Sequence, residues 1–466
     1  MKKLIKGGNV ITAENEFVAD ILIEDEKIVA IGKDLAVDAD EVFDAAGKYV
    51  FPGGIDQHTH FDALCNVGDE MTAPYETTKY VPVGGTTTII DYAPQDPGCG
   101  LLESIDYRIN TRAKDKACVD FALHALITEV NDQMFDEIAK LPEAGVASIK
   151  GFMAYKDSPL HVDDGTLYKV MCAAKEAGVT TFVHAENAEL IYTLQQECIK
   201  AGQIEPKYHA VSRPPFVEVE ATKRAIYLAE VTDAPTFIVH ITTKGASDAV
   251  AEAKAKHYRV YGETCTQYLT LTKDKLDQGE YNESAKYICS PALRDEADNE
   301  NMWAALNNGT LSAIVSDHCG ISLTLKQAGK DNFADCPNGA PGAADRIPRI
   351  WTKGVATGKI SKQKFVEVCS TMPAKINGIY PRKGAIAVGS DADIVVYDPD
   401  YRGVVRLADI PNGIDYNVYE GEEQIGRPQY VFLRGNLVAQ EGKFVGKGGE
   451  GQFIRSEPYA FCFKDV

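Results

Sequence analysis

The chain has 466 residues, 45% apolar and 25% charged, a balance that fits a globular protein with a large core and excludes disordered, collagenous and coiled-coil readings. Its formal net charge is −20 and no basic patch interrupts the acidity, so neither nucleic acid nor an anionic membrane surface is an expected partner. The eleven cysteines are scattered singly without a CxxC pair, which points to reduced thiols in the cytoplasm.

The N-terminal segment places Lys6 and two glycines where a signal peptide would need an apolar core. It reads as short alternating strands, Lys3–Lys6, Asn9–Thr12, Val18–Glu24 and Lys27–Ile31, with Glu24-Asp25-Glu26-Lys27 as turn chemistry. The pattern then changes to strand, loop, helix, repeated. Apolar runs at Val50–Ile55, Thr86–Asp91, Phe121–Ile127, Val146–Phe152, Thr180–Val183, Thr236–Val239, Val260–Glu263 and Leu311–Val315 read as buried parallel strands. Helical patterns such as Leu167–Glu176, Val219–Ala229 and Asp248–Lys256 separate them.

From about Gly384 to Val445 the short-strand style returns, with Ala392–Tyr397 and Tyr430–Leu433 as strands and Arg434-Gly435-Asn436 as a hairpin turn. Buried strands alternating with helices imply a parallel sheet covered on both faces. Eight of them predict an α/β fold, a (β/α)₈ TIM barrel over residues 52–383, with an open doubly wound sheet as the alternative. Residues 1–51 and 384–445 would form one small β-sandwich domain built from both termini. Residues 446–466, opening on the glycine-rich Gly446–Gly451, would be a tail able to contact another subunit.

The residues at the strand ends carry the chemistry. The first strand runs into Asp56-Gln57-His58-Thr59-His60; Lys150 lies in the fourth, and the fifth, sixth and eighth lead into His184, His240 and Asp317. A barrel builds its active site from the C-terminal ends of its strands, so these side chains should converge. Residues i and i+2 of a strand point the same way, so His58 and His60 can chelate one ion. Imidazole and carboxylate suit Zn²⁺, with Mn²⁺, Fe²⁺, Co²⁺ or Ni²⁺ as substitutes. Four histidines and an aspartate exceed what one open catalytic ion needs, and suit two ions bridged by an anion.

Lys150 cannot coordinate a cation as an ammonium. A buried lysine has a depressed pKa, and its neutral amine can add CO₂ to give a carbamate that would bridge two metals. The other roles open to such a lysine are to cap a strand end or to form a Schiff base; the histidines around it favour the carbamate. His124 fits a packing or hydrogen-bonding role, and His161 and His257 fit the surface. His209 fits a structural or pocket-loop role, and His318 the positioning of its own loop.

A series of motifs now acquires meaning: Phe51–His60 (FPGGIDQHTH), Gly84–Asp91 (GGTTTIID), Ser148–Lys156 (SIKGFMAYK), Phe182–Asn187 (FVHAEN), Tyr208–Pro214 (YHAVSRP), Glu263–Leu269 (ETCTQYL), Ser290–Arg294 (SPALR), Ser316–Cys319 (SDHC) and Pro337–Gly342 (PNGAPG). In this order, and over almost the whole chain, they resemble the cyclic amidohydrolases, specifically the dihydropyrimidinase and D-hydantoinase (phenylhydantoinase-like) branch. The resemblance implies a barrel with a β-sandwich, two Zn²⁺ per subunit, a carboxylated lysine and a homotetramer.

By position, it implies that His58, His60 and Asp317 hold the more buried metal and His184 and His240 the more exposed one, with Lys150 bridging as N6-carboxylysine. The implied reaction is attack of a metal-bridging hydroxide on a cyclic amide, opening dihydropyrimidines or 5-substituted hydantoins to N-carbamoyl amino acids. Asp317 would move the proton and Tyr155 would donate to the oxyanion. Ser290 and Asn338 would hold the ring amide, while Ala63, Leu64, Cys65 and Phe152 would line the pocket for the exocyclic substituent.

Thr266, Gly320 and Ala343-Ala344 depart from the branch's pattern and bear on the choice of substrate. An allantoinase-like ureide hydrolase is the nearest alternative. A dihydroorotase is disfavoured because Phe61-Asp62, not an arginine, follow His-x-His. Non-catalytic scaffold relatives lack several of the ligands, and all six are present here.

Overall fold

The run Val50–Ile55 is continuous in hydropathy but not in structure. In the computed structural model, which describes residues 1–63, 71–409 and 411–458, the glycine pair Gly53-Gly54 divides it between two sheets. The first sheet takes β1 (Lys2–Ile11), β2 (Glu16–Glu24), β3 (Lys27–Gly32), β4 (Glu41–Asp44) and β5 (Tyr49–Pro52). The second starts with β6 (Gly54–His60), so the expected first barrel strand moves toward His58 and His60. A Cβ at Gly53 would fall 2.1 Å from the Thr87 hydroxyl, so only glycine lets the chain pass so close to its neighbour.

The second sheet continues with β7 (Thr86–Pro94), β8 (Asp120–Leu126), β9 (Ser148–Phe152), β10 (Thr180–His184), β11 (Thr236–Ile238), β12 (Val260–Cys265), β13 (Ala313–Val315) and β14 (His318–Cys319). Its pairs are parallel in the order β13-β12-β11-β10-β9-β8-β7-β6-β14. The last two are halves of one interrupted strand: β13 pairs with β12, and β14 pairs with β6. The Ser316 amide between them donates to Asp56 Oδ1 at 3.0 Å. The ring therefore closes, as the TIM barrel expected from the sequence.

Helices cover the ring. Pro215–Thr232 buries Val217, Ala221, Ala225 and Ala229 against it, a stripe at helical spacing. Two N-caps fix where strands must stop. Asn187 accepts from the Leu190 amide and opens the helix Ala188–Lys200, and Thr243 accepts from Ala246 and opens Lys244–Ala255. Each cap comes three positions after a histidine, His184 or His240, which is thereby held at the mouth of the barrel.

The first sheet is completed from the other end of the chain by β15 (Ile394–Val404), β16 (Glu423–Leu433), β17 (Asn436–Gln440) and β18 (Lys443–Phe444). Arg434 and Gly435, both at positive φ, make the tight turn between β16 and β17. β15 joins β5, and β1 pairs with β2, β4 and β5. The sheet folds over so that Phe43 of β4 meets Phe432 and Tyr430 of β16 edge-on, at 4.9 and 5.4 Å between ring centres. Ile5, Ile21, Val50, Ile394 and Phe432 fill the space between the two halves.

A buried ionic cluster joins this sheet to the end of the barrel away from the histidines. Lys383 Nζ reaches Asp120 at 2.5 Å, Asp393 at 2.7 Å and Asp391 at 3.1 Å. Arg434 also pairs with Asp120, which further accepts the Gln452 amide at 2.9 Å. The chain after β18 runs under its own barrel. Phe121 donates to the Gln452 carbonyl at 3.0 Å, and Ile454 donates back to Phe121 at 2.7 Å. The segment expected to serve a subunit contact is thus packed on its own barrel as far as Ser456, whose amide bonds Gly145; residues 459–466 lie outside the described residues. No helix among the described residues is long and apolar enough to cross a membrane.

Candidate metal centre

β6 is polar from Asp56 onward, yet Asp56, Gln57, His58 and Thr59 are fully buried. Such a strand survives only if each polar group finds a partner. Asp56 sits beside Arg346 at 3.6 Å and receives the Ser316 amide. Gln57 donates to Glu263 Oε2 at 2.7 Å and accepts from Asn377 at 2.8 Å. Thr59 donates to Asp91 at 3.0 Å. His58 directs Nδ1 at Glu263 Oε1, 2.5 Å away, which turns Nε2 inward.

Nε2 of His58 faces Lys150 Nζ at 2.9 Å and Asp317 Oδ1 at 3.3 Å, and His60 Nε2 lies 3.2 Å from the same oxygen. The ligand atoms of His58, His60 and Asp317 all lie within 4.8 Å of one another. His240 packs beside them, with ring centres 5.3 Å from His58 and 4.4 Å from His184. Its Nδ1 is buried and bonded to no described group. His184 turns Nε2 to Glu186 at 2.7 Å, and Arg213 holds the same oxygen at 2.7 Å. Asp317, His240 and Tyr155 all adopt positive φ, at 51°, 39° and 62°, a conformation a non-glycine residue keeps only when its surroundings impose it.

Electrostatics prepare these groups to meet a cation. Burial, reinforced by Lys150 and neighbouring imidazoles, holds His58 well below the usual histidine range; burial and His184 do the same to His240. Both are neutral donors at physiological pH. Burial would raise Asp317, but His60, His240 and Lys150 outweigh it and hold its carboxyl at about 2. Burial brings Lys150 down to about 8, against the opposing pull of Asp317 and Glu263. Burial drives Glu263 up to about 8 despite Gln57 and Lys150, whereas Arg213 and His184 overcome burial at Glu186 and hold it well below the carboxylate range. Neutral imidazoles and an ionised carboxylate around one point fit a divalent cation of the zinc type; Lys150 as an ammonium cannot ligate alongside them, but its Nζ stands 2.9 Å from His58 Nε2.

The centre opens into a cavity of about 520 Å³. Tyr155, Phe152, Ser290, Asn338, Ala63 and Cys319 are among its lining, along with His60, Lys150, His184, His240 and Asp317. The Tyr155 ring lies 5.4 Å from that of His184, with the Arg213 guanidinium 5.7 Å from its centre. Burial pushes its hydroxyl above the usual phenol range, so it is a donor at any working pH. The loops bearing Ser290 and Asn338 are tied together by buried Lys326, which donates to the carbonyls of Ile288 and Pro337, both at 3.0 Å. Leu64 and Cys65 lie outside the described residues.

The remaining histidines sit where packing explains them. His124 bonds Ser148 at 2.5 Å and the Gln57 carbonyl at 2.9 Å, and His209 bonds the Cys289 carbonyl at 2.8 Å. His318 Nδ1 accepts from the amides of Gly342 and Ala343. His161 is half-buried rather than at the surface, because its Nδ1 bonds the Ala154 carbonyl at 3.1 Å. Thr266 is buried with its hydroxyl toward the Val315 carbonyl, and a Cβ on Gly320 would meet Ala73 at 2.5 Å. Sequence reasoning passed over Glu186, Arg213, Glu263 and Lys326. The first three stand inside the motifs FVHAEN, YHAVSRP and ETCTQYL, so the signal was present without a role attached to it.

The Amidohydrolase family model matches residues 49–438. The D-hydantoinase of Geobacillus stearothermophilus is 41% identical over 100% of this chain and 98% of its own length. That of Ralstonia pickettii is 40% identical over 98% of this chain and 100% of its own. The crystal structure of dihydropyrimidinase from Brevibacillus agri superposes with a TM-score of 0.95 at 40% identity, covering 99% of this chain and 100% of that one. The chain belongs to the amidohydrolase family, and within it to the hydantoinase and dihydropyrimidinase branch that it matches from end to end.

Proposed function

We propose that this protein opens the ring of a dihydropyrimidine or a 5-substituted hydantoin, giving an N-carbamoyl amino acid, and that it does so as a cytoplasmic homotetramer holding two zinc ions per subunit and a carbamate on Lys150. The observation that carries the reading is the meeting of His58, His60 and Asp317 at the floor of a cavity also lined by Lys150, His184, His240 and Tyr155. Relatives named D-hydantoinase and dihydropyrimidinase, matched over their full length, support the substrate class.

His58, His60 and Asp317 would hold one cation and His184 and His240 the other, and a carbamate on Lys150 would add a further anionic ligand. Bound divalent cations supply hydroxide at neutral pH and polarise a carbonyl. Asp317 Oδ, ionised and facing both His58 and His60, receives the proton released in the attack and returns it to the departing ring nitrogen. The Tyr155 hydroxyl donates to the oxygen where negative charge develops, a contribution of about 2.7–4 kcal/mol for a well-aimed donor. Ser290 and Asn338, on loops braced by Lys326, align the ring amide across from it. Phe152 packs against the Tyr155 ring at 5.7 Å and presents an apolar wall to the substituent.

The test is ring opening by protein loaded with zinc in bicarbonate, followed as loss of ultraviolet absorbance with dihydrouracil and with a 5-aryl hydantoin as separate substrates. An N-carbamoyl product from either supports the reading, and the faster substrate names the activity. Full metal loading with neither ring opened would overturn it.

A further inference from the structure

Among the side chains that line the cavity, Gln95 keeps one polar atom that the ring opening leaves idle. It follows β7 directly and is only 5% exposed. Its own amide donates to the Leu126 carbonyl at 3.3 Å, and its carbonyl accepts from the Thr128 hydroxyl at 2.9 Å. Its side-chain oxygen accepts from the amides of Thr128 and Glu129, both at 3.1 Å. Two N–H donors on one side-chain atom settle which atom is oxygen, so Nε2 is the one left over. That nitrogen is buried and bonded to no described group, and a donor stranded in this way is costly unless a ligand completes it.

Its surroundings define the group that would complete it. Leu126 and Phe152 pack together with Leu160 against them, and all three line the cavity, which suits an apolar stem. Asp96 and Glu129 line the cavity as well, whereas its Arg108 and Arg112 already answer Asp91 at 3.3 Å and Asp62 at 3.4 Å. Asp96 and Glu129 therefore set the sign of the field beside Gln95, which repels a carboxylate and leaves an uncharged oxygen as the fitting acceptor. We propose that Gln95 is a specificity-determining residue: its Nε2 donates to an uncharged carbonyl at the end of the substrate's exocyclic substituent, whose methylene stem lies along Leu126, Phe152 and Leu160. This rests on the reading that the cavity opens a 5-substituted ring, and it adds which substituents the site selects. A site built to hydrogen-bond one group discriminates against the isostere that lacks it, because its own donor is then left unpaired.

The test uses the zinc-loaded protein in bicarbonate with three hydantoins that differ only at the end of the side chain: 5-(3-oxobutyl), with a ketone; 5-(3-methylbutyl), its apolar isostere; and 5-(2-carboxyethyl), with a carboxylate. The wild type should have its highest kcat/KM on the ketone and its lowest on the carboxylate. Gln95→Glu keeps an oxygen for the amides of Thr128 and Glu129 but turns the donor into a second acceptor, and Gln95→Met removes both. In each variant the ketone-to-methylbutyl ratio of kcat/KM should fall about tenfold, with the change carried by KM rather than kcat. A merely structural glutamine would lower all three substrates together and keep the ratio. That result would overturn the proposal, as would a wild type that treats the ketone and its isostere alike or opens only dihydrouracil. A metal-loaded wild type that opens none of these rings would overturn the functional reading instead.

Discussion

The two ends of the barrel handle buried charge in opposite ways. At the closed end, Lys383 and Arg434 meet Asp120, Asp391 and Asp393 in direct contact, so the charges answer one another. At the open end, four imidazoles crowd around an ammonium and one carboxylate, and the geometry leaves donor atoms facing each other across about 3 Å. Nothing in folding alone rewards that second arrangement. Matched charge marks where the fold is fastened, and an excess of unmatched donors marks where a ligand is meant to complete it.

The comparison breaks most completely at Lys150. Lys150→Ala should abolish both metal binding and activity while the metal-free protein melts as the wild type does, with partial rescue by short carboxylic acids that can replace the bridging anion. Metal analysis and turnover decide this, and full activity in the variant would eliminate the carbamate. The mirror experiment is Lys383→Met at the closed end. It strands Asp120 and Asp393 without their ammonium and should cost about 3–5 kcal/mol of stability, measured by urea unfolding, while turnover per folded molecule is kept. An equal loss of turnover would mean the two ends are not separable.

A smaller effect sharpens the contrast through pH. Burial holds His124, His209 and His318 at about 3, against an ordinary value of 6.5. Their folded-state affinity for protons is depressed, so the unfolded chain binds protons the folded one refuses. Their contribution to stability is complete above pH 6.5 and is lost as pH falls toward 3, at about 1.4 kcal/mol per pH unit for each group. His209→Gln can still donate to the Cys289 carbonyl and should remove one such increment from the acid slope of the unfolding free energy. A slope identical to the wild type's would take His209 out of the acid response.

The barrel was legible because its strands are buried on both faces and so appear as apolar runs, Thr86–Asp91 and Phe121–Ile127 being clear cases. Its first strand was misplaced for the same reason in reverse. Gly54–His60 is buried yet almost wholly polar, and hydropathy has no means of seeing a strand whose interior is satisfied by Glu263, Asn377, Asp91 and Ser316 from far along the chain. The convergence of histidines at strand ends followed from barrel geometry once the strands were counted. The partners of those histidines did not, because a glutamate in sequence looks the same whether it faces solvent or turns an imidazole. Leu64, assigned to the pocket, falls outside the described residues.

The interruption between Ala313–Val315 and His318–Cys319 carries a consequence for assembly. The halves of this strand pair with opposite neighbours, so they are the seam by which the ring shuts, and Asp317 sits in the seam. Asp56 and Ser316, 260 positions apart, are joined there through the Ser316 amide. The carboxylate that stands against His58 and His60 is thus supplied by the same break in the strand that lets the ring close, so ring closure and the completed donor set depend on one short segment.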